Sequence, residues 1–130
     1  MSSNLSDFER AVLAKTFQGS HPALGALREQ LEQAEVLDRE FTGVGFFTSF
    51  RVSGDAPRAK TKKDRIGFGD VVAELEGLDH GAGFVLFIDD GYLEMLEGYC
   101  FEETWPSEIG RYELRYDGNH EDHVAAYFIP

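Results

Sequence analysis

The chain has 130 residues, enough for one domain that buries about two thirds of its unfolded surface. A hydrophobic content of 42% with 13% aromatics supports a packed core and excludes wholesale disorder. Twelve Lys+Arg against twenty-four Asp+Glu leave a net charge of −12, which repels phosphates and anionic lipid headgroups and argues against nucleic-acid or membrane-surface partners.

Two helices come first. Ser6-Asp7-Phe8-Glu9 fits a capping box, in which Ser6 accepts from the third backbone N–H and Glu9 reaches back. Leu5, Phe8, Val12, Leu13 and Phe17 then recur at helical spacing, and Gly19 ends the run. Ser20 and Pro22 open a second helix with Leu24, Leu27 and Leu31 on one stripe and Glu29, Gln30 and Glu32 on another face. The pair reads as a helical hairpin with one buried face on each helix.

At Phe41 the period changes to two. Val44, Phe46, Thr48, Phe50 and Val52 alternate with Gly45, Phe47, Ser49 and Arg51, as in a strand. Residues 53–65 are polar, with a Ser-Gly-Asp turn and a proline, and read as a solvated loop. Val71, Ala73 and Leu75 alternate with Asp70, Val72, Glu74 and Glu76 in a further strand. Phe84–Ile88 leads through Asp89-Asp90-Gly91 into Tyr92–Glu97, a hairpin whose Asp-Gly suits a type I′ turn. Alternation fails near Gly98, where a bulge would restore it. Tyr112, Leu114 and Tyr116 mark one face of another strand, Asp117-Gly118-Asn119 turns, and Val124–Ile129 reads as a last strand. The fold expected is one α+β domain over residues 1–130, its helical hairpin packed on one face of a mainly antiparallel sheet of about five or six strands.

Charge is sorted along the chain. Between Ile66 and Gly110 lie eleven acids and no lysine or arginine, while residues 51–65 hold six of the twelve cations. A lopsided field bears on partners and association rates. With Val71, Ala73 and Leu75 facing the helices, Asp70, Glu74 and Glu76 fall on the opposite sheet face, joined by Glu94 and Glu97 if the bulge lies at Gly98. Glu74, Glu76, Glu94 and Glu97 are therefore the candidate contacts for a basic protein partner. Trp105, in Trp105-Pro106, would join them as an anchor if exposed; otherwise its ring packs on the core edge. A non-enzymatic binding module follows, an immunity-type inhibitor of a cationic toxin being one version. The alternative is a small enzyme or metabolite-binding protein with a Phe- and Tyr-lined pocket between helices and sheet. Homo-oligomerisation through an aromatic edge strand is compatible with either.

Other chemistry finds little footing. His120-Glu121-Asp122-His123 departs from the His-Glu-x-x-His zinc pattern and, read as a turn entering a strand, sends its histidines apart. Asp89-Asp90-Gly91 lacks the spaced oxygens of an EF-hand loop. The Gly-x-Gly pairs at 43, 67 and 81 lack a P-loop lysine, and no Gly-x-Ser-x-Gly elbow occurs. Paired carboxylates of a hydrolase would need a geometry that spacing does not supply. Cys100, the single cysteine, sits among aromatics and acids, which suits a buried, unreactive thiol and a reducing compartment. No catalytic residue, metal or cofactor is assigned. The start MSSNLSDFER shows no secretory pattern and no apolar run reaches the ~20 residues of a membrane span, so a cytoplasmic location is expected.

Two blocks carry a resemblance. One is Arg39-Glu-Phe-Thr-Gly-Val-Gly-Phe-Phe47; the other runs from Glu76 to Phe84, through Leu96-Glu-Gly-Tyr99, to Trp105-Pro106. Together they resemble small single-domain bacterial proteins of unknown function that pair a Gly-Val-Gly-Phe-Phe strand with a Leu-Glu-Gly-aromatic strand and a Trp-Pro. The resemblance implies a bacterial, cytoplasmic, one-domain protein and transfers no catalytic residue.

Overall fold

A computed structural model describes residues 5–130 and contains, among them, three helices and seven strands. In chain order they are α1 (Asp7–Thr16), α2 (Pro22–Gln33), β1 (Glu35–Phe41), β2 (Gly45–Arg51), β3 (Arg65–Phe68), β4 (Val71–Leu75), β5 (Ala82–Asp89), β6 (Tyr92–Cys100), β7 (Tyr112–Tyr116) and α3 (His120–Tyr127). The strands form one sheet ordered β1-β2-β6-β5-β4-β7, with β3 also paired to β5. Every pairing between named strands is antiparallel. The α+β class stands, with seven strands in place of five or six.

Local chemistry explains the helix starts. Ser6 accepts from the Glu9 amide at 3.1 Å, and the Glu9 carboxylate accepts from the Ser6 amide at 2.8 Å, completing the capping box. His21, not Ser20, caps α2: its Nδ1 accepts from the Ala23 amide, with Pro22 supplying the preset φ of the first turn. One contiguous core takes Phe8, Val12 and Leu13 from α1 and Leu24, Leu27 and Leu31 from α2, together with inward residues of the sheet. Phe8 meets Phe84 of β5 edge-on, with ring centres 5.7 Å apart. Gln30, fully buried on α2, donates to the carbonyls of Pro57 and Gly91 and accepts from the Leu93 amide.

Three segments differ from the sequence reading. Glu35–Phe41 is an edge strand whose pattern is obscured by an irregularity between Val36 and Asp38, so its apolar residues do not alternate. Arg65–Phe68 is a strand at the end of the polar loop, in line with β4 but one residue out of its register on β5. The end of the chain is helical from His120 to Tyr127. Asn119 accepts from the Asp122 amide as N-cap, Glu121 and Asp122 sit in the positive first turn, and Val124 is buried. Phe128 follows one turn later and packs against Phe68.

The Asp90-Gly91 turn has positive φ at both residues, 51° and 83°, as type I′ requires. The bulge in this hairpin falls at Glu94, between the pairs Phe87–Met95 and Ile88–Leu93, and not at Gly98. Gly98 instead makes room for a ring, since a Cβ there would lie 2.3 Å from Phe46 Cε1. The 53–65 loop is less solvated than its composition suggests. Ala56 and Ala59 are buried, and Lys60 and Lys62 exchange backbone hydrogen bonds with Ile129 and Tyr127.

Candidate functional site

Strand alternation assigns the two faces of the sheet. Phe46, Thr48 and Phe50 of β2, Leu96 of β6, Phe84, Leu86 and Ile88 of β5 and Val71, Ala73 and Leu75 of β4 point inward and are buried. The helices bury their stripes in the same core. On the opposite face stand Phe47, Val72, Val85, Phe87, Met95 and Tyr99, each partly exposed. Phe47, Glu97 and Val85 lie in one cross-strand row, Met95 and Phe87 in the next. Tyr99 lies over its partner Gly83, where a Cβ would come within 2.6 Å of the ring. The Arg65 guanidinium sits 4.7 Å from the Phe87 ring centre, which keeps the arginine on this face.

Carboxylates surround that apolar strip. Glu74 and Glu113 stand opposite each other across β4 and β7, and Asp89 lies at the hairpin end. Glu35, Asp38 and Glu40 point the same way from the β1 edge, and Glu97 stands in the middle. Glu94, on the bulge, is held by Arg65 at 2.5 Å. Arg51, Arg65 and Arg115 are the outward cations of the strands, and two of these arginines are already paired, Arg51 with Glu35 and Arg65 with Glu94.

The sequence-predicted contacts therefore divide. Glu74 and Glu97 share the outward face, while Glu94 reaches it through its bulge and is engaged by Arg65. Glu76 lies just beyond β4 and binds Arg111 at 3.1 Å, at the edge of the sheet. Trp105 is 7% exposed and packs edge-on against Phe46, the core-edge role. Asp70, expected on the outward face though not as a contact, is instead buried at the β3–β4 junction, because the register change there turns it toward α3. The outward apolar residues were missed. Their signal was present in Phe84–Ile88, apolar at every position and so suited to contact on both faces.

Charge segregation in the sequence is partly undone in space. Arg51, Arg58 and Arg65 from the cationic run pair with Glu35, Asp90 and Glu94. Glu103 accepts the amides of Asp79 and His80, which hold its carboxyl below the ordinary value. Cys100 donates to the Val44 and Glu103 carbonyls; burial, then the Glu103 charge, pushes its thiol up and away from reactivity.

Beside α1, Phe8, Phe41, Phe46 and Trp105 line a hollow of about 250 Å³ whose polar members include Glu9 and Arg39. Burial pushes the Glu9 carboxyl up, but hydrogen bonds from Arg39, Thr48 and the Ser6 amide outweigh it and leave it below its ordinary 4.5. The Glu9–Arg39 contact is 2.6 Å. These polar groups satisfy one another, so they do not converge on a vacant position.

A second polar group lies at α3. His120 Nδ1 is 2.7 Å from Asp70 Oδ2, and Nε2 is 2.6 Å from the Gln18 carbonyl oxygen. An Asp–His pair can orient a general base, but here the nitrogen that would take a proton from a nucleophile faces a backbone carbonyl. His123, one turn on, accepts the Gly69 amide through Nε2. Because α3 is a helix, the two histidines share a face, yet each is engaged by a different neighbour. No group of three His, Cys, Asp or Glu among the described residues has the arrangement of a metal site. No helix among them is long and apolar enough to cross a membrane.

The chain matches no family model, no curated protein and no solved structure. What it does must be sought in the geometry of its own surface.

Proposed function

We propose that this protein is a non-enzymatic binding module, with α1 and α2 paired as a helical hairpin on one side of the sheet and a basic protein partner bound on the other. The observation that carries the reading is the outward apolar strip of Phe47, Val85, Phe87, Met95 and Tyr99 set among carboxylates. Desolvating the strip supplies affinity, and the surrounding acids steer a cationic partner and set its register. Eight outward acids face three outward arginines, so a second copy would meet like charge across a two-fold axis. A cationic partner fits where a self-partner does not. An immunity-type inhibitor of a basic toxin is one such module.

The test is to capture a basic partner from native lysate at low salt and titrate it against the protein and its Glu74→Gln, Glu97→Gln double variant. Affinity should fall about tenfold, with a shallower salt dependence in the variant. Equal affinity and equal salt dependence would overturn the reading.

A second reading rests on the aromatic hollow between α1 and the sheet. Phe8, Phe41, Phe46 and Trp105 would take a small planar ligand. It ranks second because the hollow is below the ~300–1,000 Å³ usual for ligand sites and its charged groups are already paired. A thermal-shift series with small aromatic acids would support it only if Phe46→Ala abolished the shift.

A further inference from the structure

The hydrogen-bond count around His120 does not close with a neutral ring. Both ring nitrogens face acceptors: a carboxylate oxygen at 2.7 Å and a backbone carbonyl at 2.6 Å. Neutral imidazole carries one N–H, so one of these contacts would set lone pair against lone pair. The carbonyl cannot carry a proton, which places N–H on Nε2. One further proton must then lie between Nδ1 and Asp70, on the ring or on the carboxyl. Water offers little relief, since the two side chains are only 12% and 2% exposed. Among the described residues Asp70 Oδ1 is buried with no hydrogen-bond partner, so none of them offers the carboxylate another donor to balance it.

We propose that His120 is a proton-held clasp: one extra proton shared with Asp70 lets it bridge Asp70 to the Gln18 carbonyl, seating the start of α3 on the α1–α2 turn, and losing that proton unseats it.

The surroundings fit this role. Tyr116 of β7 stacks on the ring at 4.2 Å and 17°, with its hydroxyl donating to the Lys15 carbonyl. Lys15 of α1 sits over the Tyr116 ring. Asp117 donates its amide to the Asp70 carbonyl, and its own position precedes the α3 cap. His123 is already an acceptor, and burial, opposed by Asp70 and aided by His120, keeps it from protonating easily. His21 and Glu121 line the adjoining hollow of about 260 Å³ between the α1–α2 turn and α3. Opening the clasp would widen that hollow and loosen the cover that His123, Tyr127 and Phe128 place on Phe68.

Asp70→Asn separates this mechanism from simple packing. The introduced carboxamide could donate to Nδ1 while a neutral ring donates Nε2–H to Gln18, so the bridge would close without the extra proton. The experiment is amide hydrogen exchange on the whole chain between about pH 6 and about pH 9, a range that spans histidine deprotonation. Protection of the His123–Tyr127 amides should fall roughly tenfold across it, with the β5 and β6 amides unchanged, and Asp70→Asn should keep α3 protected at the upper end. Flat protection in the natural chain would overturn the proposal, as would Asp70→Asn losing protection in parallel. If that variant does not fold, ¹⁵N spectra of the natural protein near neutral pH decide. A protonated Nε2 with a shared proton at Nδ1 supports the clasp, and a bare Nε2 overturns it.

Discussion

Glu9 and Gln30 show how much a single buried polar side chain can organise. The Glu9 carboxylate caps α1, binds Arg39 on β1 and accepts from Thr48 on β2, joining three elements through one group. Its folded-state pKa lies below the ordinary 4.5, so it contributes stability above that value and loses the contribution as pH falls through the folded value. Glu9→Gln should cost about 2 kcal/mol at neutral pH, with the deficit shrinking as acid is added. Urea melts over a pH series would read this; a deficit that is constant with pH would contradict it. Gln30→Leu keeps the volume but strands the Leu93 amide and the Pro57 carbonyl, while the Gly91 carbonyl keeps the Ala59 amide. A loss of about 3 kcal/mol is expected, seen as a lower urea midpoint with unchanged slope. The capping box was legible because its partners lie three residues apart. The distant partners Arg39, Thr48, Pro57 and Gly91 were not, since nothing local marks them.

Among the elements, the β5–β6 hairpin is the one whose turn chemistry leaves least choice. Gly91 has φ +83°, and a Cβ there would lie 2.4 Å from the Ala59 carbonyl oxygen and 2.1 Å from Arg58 Cγ. Gly91→Ala should therefore cost about 1–3 kcal/mol, measurable by thermal or urea unfolding. An unchanged midpoint would mean that the turn and the 53–65 loop do not pack as described. This hairpin was readable because Asp-Gly states its backbone requirement in two residues. Val124–Ile129 misled because β-type residues crowd it, whereas the deciding features were the Asn119 cap and the four-residue spacing of Val124 and Phe128. Continuing the alternation of β4 back through its start puts Asp70 on the outward face. The one-residue change of register between β3 and β4 reverses it, and alternation cannot reveal where a register breaks.

For the whole molecule, the sequence's acidic run becomes something more specific than an acidic face. Arginines from the preceding segment return to two of its carboxylates, and the outward sheet surface is an apolar strip with acids around it. The proposed docking rests on that strip, whose position predicts where a partner would touch. The direct measurement is photocrosslinking in the native cell with p-benzoylphenylalanine at position 87, compared with the same group at Glu29 on α2. One basic protein should be joined at position 87 and none at position 29, with the adduct lost when Glu74 and Glu97 are changed to Gln. No adduct at position 87, or the same protein joined equally at position 29, would contradict docking on this face.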